Sequence, residues 1–409
     1  MNTQKIGAGA SPWHAVTASY LGWTLDAFDF FVAIFLLDTL ARQFAVPKSA
    51  IVWTITATLA MRPAGALIFG MMSDRFGRRK PLIANVIFFS AMELLSGFAP
   101  NYTIFLILRI LFGIGMGGEW GLGASLAMES APPKKRGLVS GVLQSGYSMG
   151  YLLAAIATRL ILPHFGWRMM FWTGGIPALL AFYIRWRVKE PEAWKQHRPL
   201  GMKAILVAAR GFWKSFLYLV LLMTLMNALS HGTQDLYPDF LKSAHGLASS
   251  TVAYIAMFYN VGAIIGGVLF GHMSQRWGRR RSMMAALAVT LAVIPAWAFG
   301  HTALALALGA FAMQVGVQGA WGIIPAHLNE LSPDALRGLI PGLAYQTGIL
   351  LASPTNNIEY ALRDMLGYSW ALAAFELSVI ALLTLALLLG REHHGKSFVA
   401  EERSAAAIP

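Results

Sequence analysis

Asn227, His231, Gln234 and Asp235 fall at i, i+4, i+7 and i+8, a spacing that draws one polar stripe down a helix. His231 and Asp235, one turn apart, are within hydrogen-bond reach, so the carboxylate orients the ring and suits the pair to proton transfer. Arg62, followed by Pro63, offers an always-ionised fork of donors matched to a carboxylate ligand. Asp26 and Asp29 share a helix face and crowd two negative charges, as a proton carrier requires. Either aspartate is also a possible ion-pair partner for Arg62. Glu119 is a further acid in an apolar stretch and joins Asp26, Asp29, His231 and Asp235 as a proton-coupling candidate, while Arg109 is too far along the same stretch to pair with it. Glu93 and Glu376 stand alone and read as structural or partly interfacial. The chemistry on offer is anion binding and proton transfer. With no cysteine and no His/Glu pair at i, i+4, neither a metal site nor a catalytic constellation emerges, and no cofactor is expected.

These residues need elements that hold them away from water. Of 409 residues, 56% are hydrophobic and only 12% charged, about half the charge of an ordinary globular domain. Hydrocarbon must cover the surface. A spanning helix takes about 20 mostly apolar residues, and twelve such stretches occur, near 16–38, 50–72, 81–99, 102–129, 138–161, 168–186, 216–239, 250–272, 282–300, 302–329, 339–361 and 369–390. The expectation is an all-α membrane protein with an N-terminal six-helix bundle over 1–186, a linker over 187–215, a C-terminal bundle over 216–390 and a tail over 391–409. Every binding or proton-coupling candidate above except Arg62 and the Asp26/Asp29 pair lies on span 4 or span 7, while Glu93 and Glu376 lie on spans 3 and 12. A polar stripe as long as that of span 7 must face a wet cavity or the other bundle.

The net charge of +13 would suggest nucleic acid in a soluble chain, but 24 of the 32 lysines and arginines fall in the tails and in the loops after even-numbered spans. That bias orients both termini to the cytoplasm. Basic residues dealt out loop by loop form no nucleic-acid surface, so the expected surroundings are the bilayer of the cell (inner) membrane.

The chain also repeats itself. Gly70, Asp74, Arg75, Gly77, Arg78 and Arg79 recur 201 residues later as Gly271, Gln275, Arg276, Gly278, Arg279 and Arg280, and Glu129, Pro132, Arg136 and Gly137 recur as Glu330, Pro333, Arg337 and Gly338. Two homologous halves of parallel topology follow. Asp74, Arg75, Arg78 and Arg276 are candidates for a latch on the cytoplasmic side, with Glu129–Arg136 and Glu330–Arg337 as its ion pairs. Gln275 replaces Asp74 in the second half, so a charge latch should be stronger in the first. Gly113, Gly115 and Gly118 match a dinucleotide-binding pattern by letter, yet no strand precedes them, and they read as close packing of span 4.

The G-x-x-x-D-R-x-G-R-R-K loop, repeated at half length, resembles the major facilitator superfamily over essentially the whole chain. That resemblance implies two pseudo-symmetric six-helix bundles around a central cavity that opens alternately to either side. The run Asn227-x-x-Ser230-His231-x-Thr233-Gln234-Asp235 resembles the span-7 signature of lactate/pyruvate permeases in the sialate:H⁺ symporter branch, departing at Asp239 where that pattern has Thr. The resemblance implies transport roles for Asn227, His231 and Asp235, a carboxylate-binding role for Arg62, and a substrate-facing position for Tyr345 and Gln346. It implies a monomeric, proton-coupled symporter of a small monocarboxylate, whose partners are a small organic acid and protons. A symporter of a larger acid, sialic or aromatic, and a transporter-like receptor are the alternatives.

Overall fold

The computed structural model describes residues 11–196 and 201–399, and the described residues are helical, without strands. Span 1 is Trp13–Phe35, span 3 Arg79–Ser96, span 4 Tyr102–Ser130, span 5 Arg136–Leu160, span 8 Ser249–Trp277, span 9 Arg279–Phe299 and span 12 Tyr368–Leu389. The other five are broken. Span 2 runs as Lys48–Ala60 and Arg62–Phe76, span 6 as Leu162–Thr173 and Pro177–Arg187, span 7 as Trp213–Gln234 and Tyr237–Ser243, span 10 as Ala303–Trp321 and Ile324–Leu331, and span 11 as Ile340–Ala352 and Thr355–Leu366.

Each break has a proline beside it: Pro63, Pro177, Pro238, Pro325 and Pro354. A proline lacks the N–H that would continue the ladder and clashes with the preceding turn, so the helix restarts there. The break in span 2 makes Arg62 the first residue of a new segment. Among the described residues, eight helices are long and apolar enough to cross a bilayer, the broken spans 2, 7 and 10 among them; spans 3, 5, 6 and 11 complete the twelve. The positions match the sequence expectation, span 6 included: residues 162–165 form a short turn, Gly166 breaks the helix with a φ of +75°, and the span resumes directly after it, close to 168. The linker contains two short helices, Glu192–Lys195 and Met202–Gly211.

Spans 1, 2, 4 and 5 pack together in the first half, and spans 7, 8, 10 and 11 in the second, with span 5 against span 8 and span 2 against span 11 across the seam. Spans 3 and 9 flank spans 4 and 10. Small residues permit these approaches. Gly113 lies on the backbone of Thr58 and Gly117 on that of Arg62, so the glycines of span 4 hold the break in span 2 against it. Across the seam, a Cβ on Gly121 would stand 2.8 Å from Gly342 Cα.

Candidate functional site

The seam encloses a cavity of about 450 Å³ lined from both halves. Its wall on span 7 is the polar stripe itself: Asn227, Ser230, His231, Gln234 and Asp235. His231 Nδ1 is 3.1 Å from Asp235 Oδ2, and both side chains are more than a third exposed, which turns the pair towards the cavity. An ionised carboxylate only accepts, so Nδ1 carries the hydrogen in this contact and Nε2 is left to exchange a proton. Asn356 Nδ2 donates to the same Asp235 oxygen at 3.2 Å. An amide network fixes the stripe from behind. Gln234 Nε2 donates to Gln314 Oε1 at 2.8 Å, Gln314 Nε2 to Thr233 Oγ1 at 3.1 Å, and Gln318 Nε2 to Ser230 Oγ at 3.2 Å.

Arg62 faces this stripe from span 2. Among the described residues, the cavity wall contains one arginine and no lysine. The side chain is buried, and its Nε and Nη2 have no hydrogen-bond partner. Its guanidinium lies 5.7 Å from the centre of the Tyr345 ring, which is itself held by Trp120 at 4.5 Å and Trp321 at 5.5 Å. Trp321 is anchored by donating Nε1 to Met226 O at 3.1 Å. Two N–H donors withdrawn from water and unmatched in the protein are a site for an anion.

Three acidic candidates lie elsewhere. Asp26, Asp29 and Glu119 are fully buried in the first half, behind the cavity wall, and none of their six oxygens has a hydrogen-bond partner. The Arg62–aspartate bond that the sequence allows is therefore not formed. Glu93 is not the isolated acid that span 3 alone suggests: it forms a fully buried ion pair with Arg109 of span 4. Gln346 also departs from expectation. Span 11 turns it away from the cavity, where it donates to Gly117 O at 3.3 Å and straps the halves together.

Polar contacts between the halves gather on the face that carries the basic loops. Arg78 donates to Glu129 from Nη2 at 2.7 Å and Nε at 3.1 Å, and to Asp74 from Nη1 at 2.7 Å. Arg279 grips Glu330 in the same way, at 2.8 and 2.9 Å. The expected Glu129–Arg136 and Glu330–Arg337 pairs are exchanged between halves: Arg337 reaches Glu129 and Arg136 reaches Glu330, both at 3.3 Å. Pseudo-symmetry explains the exchange, since each loop folds over its mirror rather than itself. Asp74 accepts from Gly338 N at 2.8 Å and Leu339 N at 3.1 Å, while Gln275 Oε1 accepts from Gly137 N at 2.9 Å.

Arg75 and Arg276 take no part. Both are exposed, and Arg75 lies 5.0 Å from the ring of Phe76. Arg279, the counterpart of Arg78 at the 201-residue offset, holds the place in the cluster expected of Arg276. Glu190 accepts from the Arg78 and Arg79 N–H groups, as Glu392 does from Arg279 and Arg280. Burial pushes the Glu190 carboxyl up, against the pull of those N–H groups. The segment after span 12 closes over the whole cluster: the buried ring of Phe398 lies between the guanidinium carbons of Arg136, at 3.7 Å, and Arg337, at 3.8 Å. Arg136 Nη1 also donates to Lys396 O at 2.7 Å.

Residues 19–235, more than half of the chain, match the family described as "Major Facilitator Superfamily". The chain belongs to the major facilitator superfamily. Residues 203–392 match a second description, "Sugar (and other) transporter". Among superfamily relatives, a carboxylic acid transporter protein homolog of Saccharomyces cerevisiae is 33% identical over 86% of this chain, which spans only 61% of that longer protein. A probable 4-methylmuconolactone transporter of Cupriavidus pinatubonensis is 29% identical, covering 92% of this chain and 90% of its own. The sialic acid transporter NanX of Escherichia coli is 25% identical over 82% and 83%. The solved structure of the proton:xylose symporter XylE superposes with a TM-score of 0.76 at 19% identity, covering 97% of this chain and 98% of the other, which shows the shared fold.

Within this superfamily architecture, Arg62, Asn227, His231, Gln234, Asp235 and Tyr345 converge on one cavity, and Asp74, Arg78, Glu129, Arg136, Glu330 and Arg337 on one seal. Gln144, Tyr147, Asn260 and Gln318 also line the cavity and carry no motif that would reveal them. Phe398 is likewise invisible to pattern reading, being a single aromatic residue in a polar tail.

Proposed function

We propose that this protein is a proton-coupled symporter of a small monocarboxylate of the lactate or pyruvate type, working by alternating access in the cell membrane with its basic face cytoplasmic. The observation that carries the reading is Arg62, whose buried, unmatched donors lie in a cavity wall opposite a His–Asp pair. The substrate carboxylate takes the guanidinium, and Asn227 and Ser230 bind its far end. His231 holds a proton on Nε2, while Asp26, Asp29 and Glu119 form a buried reserve of proton acceptors behind Arg62. Moving anion and proton together lowers the desolvation cost of each. The yeast relative, named as a carboxylic acid transporter homolog, supports the substrate class.

A second reading, a larger organic acid, is favoured by the roughly 450 Å³ cavity with its aromatic wall of Tyr147, Trp321 and Tyr345, and by relatives named for methylmuconolactone and sialic acid. Uptake of labelled lactate into proteoliposomes under an imposed pH gradient tests the first. Uptake that ignores collapse of the gradient removes proton coupling; no uptake of any small monocarboxylate, with uptake of a labelled larger organic acid in its place, moves the assignment to the second.

A further inference from the structure

The most apolar of the long spans, span 12, carries an acid at its centre. Glu376 is fully buried, and Glu359 of span 11 is nearly so. None of their four carboxylate oxygens has a hydrogen-bond partner. Each feels another acid as its charged neighbour: Glu359 for Glu376, and Asp235 for Glu359. This distinguishes them from Asp26, which has Arg62 and Arg109 close by, and from Asp29, which has Arg109.

The pair is joined to the cavity. Gly232, next to His231 in span 7, is packed so tightly on span 12 that a Cβ there would strike the Glu376 carboxylate and stand 2.7 Å from the Phe375 ring. Asn356 donates to the Asp235 oxygen that also faces His231, and Glu359 lies one turn beyond Asn356 on the same face of span 11. A line of polar groups thus leads from His231 through Asp235 and Asn356 to Glu359 and Glu376. Among the described residues, spans 7, 9 and 11 place no permanent cation at the pair: span 7 contributes His231 and Asp235 there, with Lys214 and Lys242 only at its ends, span 9 carries no titratable residue beyond Arg281, and Arg363 at the outer end of span 11 is engaged with Asp364. A carboxylate left ionised there pays the full cost of burial, and two together add their repulsion.

We infer that Glu376 and Glu359 form a proton-binding site in the second half, separate from the acids of the first and reached from the substrate cavity along His231, Asp235 and Asn356. Binding forms an O–H bond on one carboxylate oxygen; release reverses it. The site rests on the proton-coupled reading above, and substrate need not touch it.

The test is Glu376→Gln, which keeps the shape of the protonated acid, reconstituted beside the wild type. Gradient-driven accumulation of the labelled acid should fall at least tenfold, while exchange of labelled for unlabelled acid without a gradient stays within about twofold. Glu359→Gln should give the same split, less severely. Accumulation retained in both variants overturns the site, and loss of exchange together with accumulation in both, in folded protein, reduces the pair to a structural role. If the wild type itself ignores the gradient, proton coupling has failed and this site falls with it. Should Glu376→Gln not fold, Glu359→Gln carries the decision, read with the infrared carbonyl band of a protonated acid, which it must weaken.

Discussion

The two loop motifs on the basic face are copies in sequence, yet they hold the halves together by different means. In the first, Arg78 neutralises two buried acids, Asp74 and Glu129, and Asp74 grips two backbone N–H groups of the opposite half. In the second, Arg279 neutralises Glu330 alone, and neutral Gln275 accepts one N–H and donates to Pro133 O at 3.0 Å. Charge-assisted bonds are roughly twice as strong as neutral ones. The second clamp is reinforced differently, by the Lys396 carbonyl on Arg136 and the Phe398 ring between Arg136 and Arg337. The repeats are therefore sealed unequally: where Gln275 stands in the position of Asp74, the tail supplies part of the contact.

Removing the central arginines separates the clamps most sharply. Arg78→Met strips two buried acids, Asp74 and Glu129, of their nearest cation, leaving Glu129 only the 3.3 Å contact with Arg337, and should cost about 3–5 kcal/mol, the penalty for breaking a buried pair, whereas Arg279→Met strips Glu330 alone, which keeps Arg136 at 3.3 Å, and should cost less; equal losses on thermal unfolding would erase the asymmetry. The next effect concerns opening rather than folding. Because the chain has no cysteine, Ser125→Cys provides a clean reporter beneath the seal, where the Ser125 hydroxyl donates to Arg337 O at 2.7 Å. Asp74→Asn should shift the seal by about 2 kcal/mol towards open and speed labelling of that cysteine more than tenfold, and Gln275→Ala should speed it less. Phe398→Ala should come third, at about 1 kcal/mol, and its effect should vanish when Arg136 and Arg337 are both replaced; persistence there would mean that the ring acts on something else. Smallest is Gln275→Glu, which strengthens the acceptor for Gly137 N–H but gives up the donor to Pro133 O, so labelling should change by no more than about 1 kcal/mol.

Much of this was readable in the chain. Span positions follow from composition and length, and the breaks from proline, because both are local properties. The span-7 stripe was readable because helical periodicity alone aligns Asn227, His231, Gln234 and Asp235. The choice between arginines was not. Gly77 and Gly278 adopt φ of +96° and +88°, reversing the chain so that the arginine after the glycine tucks under the helix end while Arg75 and Arg276, before it, point outward. The exchanged partners of Glu129 and Glu330 were hidden for another reason: sequence spacing ranks contacts within a half, whereas pseudo-symmetry places the arginine of one half on the acid of the other. The structural role expected of Glu93 takes the form of an ion pair, and Gln346 turns from the cavity, because their partners, Arg109 and the Gly117 carbonyl, belong to other spans that spacing along one helix does not reveal.

The contact of Gly121 with Gly342 puts bare main chain against bare main chain one turn from Ser125, just inside the seal. Surfaces without side chains have no rotamers to unlock and no knobs to withdraw from holes, so they part and meet again with little activation of their own. The tempo of cycling is then governed at the rim, by how often the arginines release their acids. A methyl group at Gly121 would act as a wedge, holding the rim ajar while every ion pair remained chemically intact.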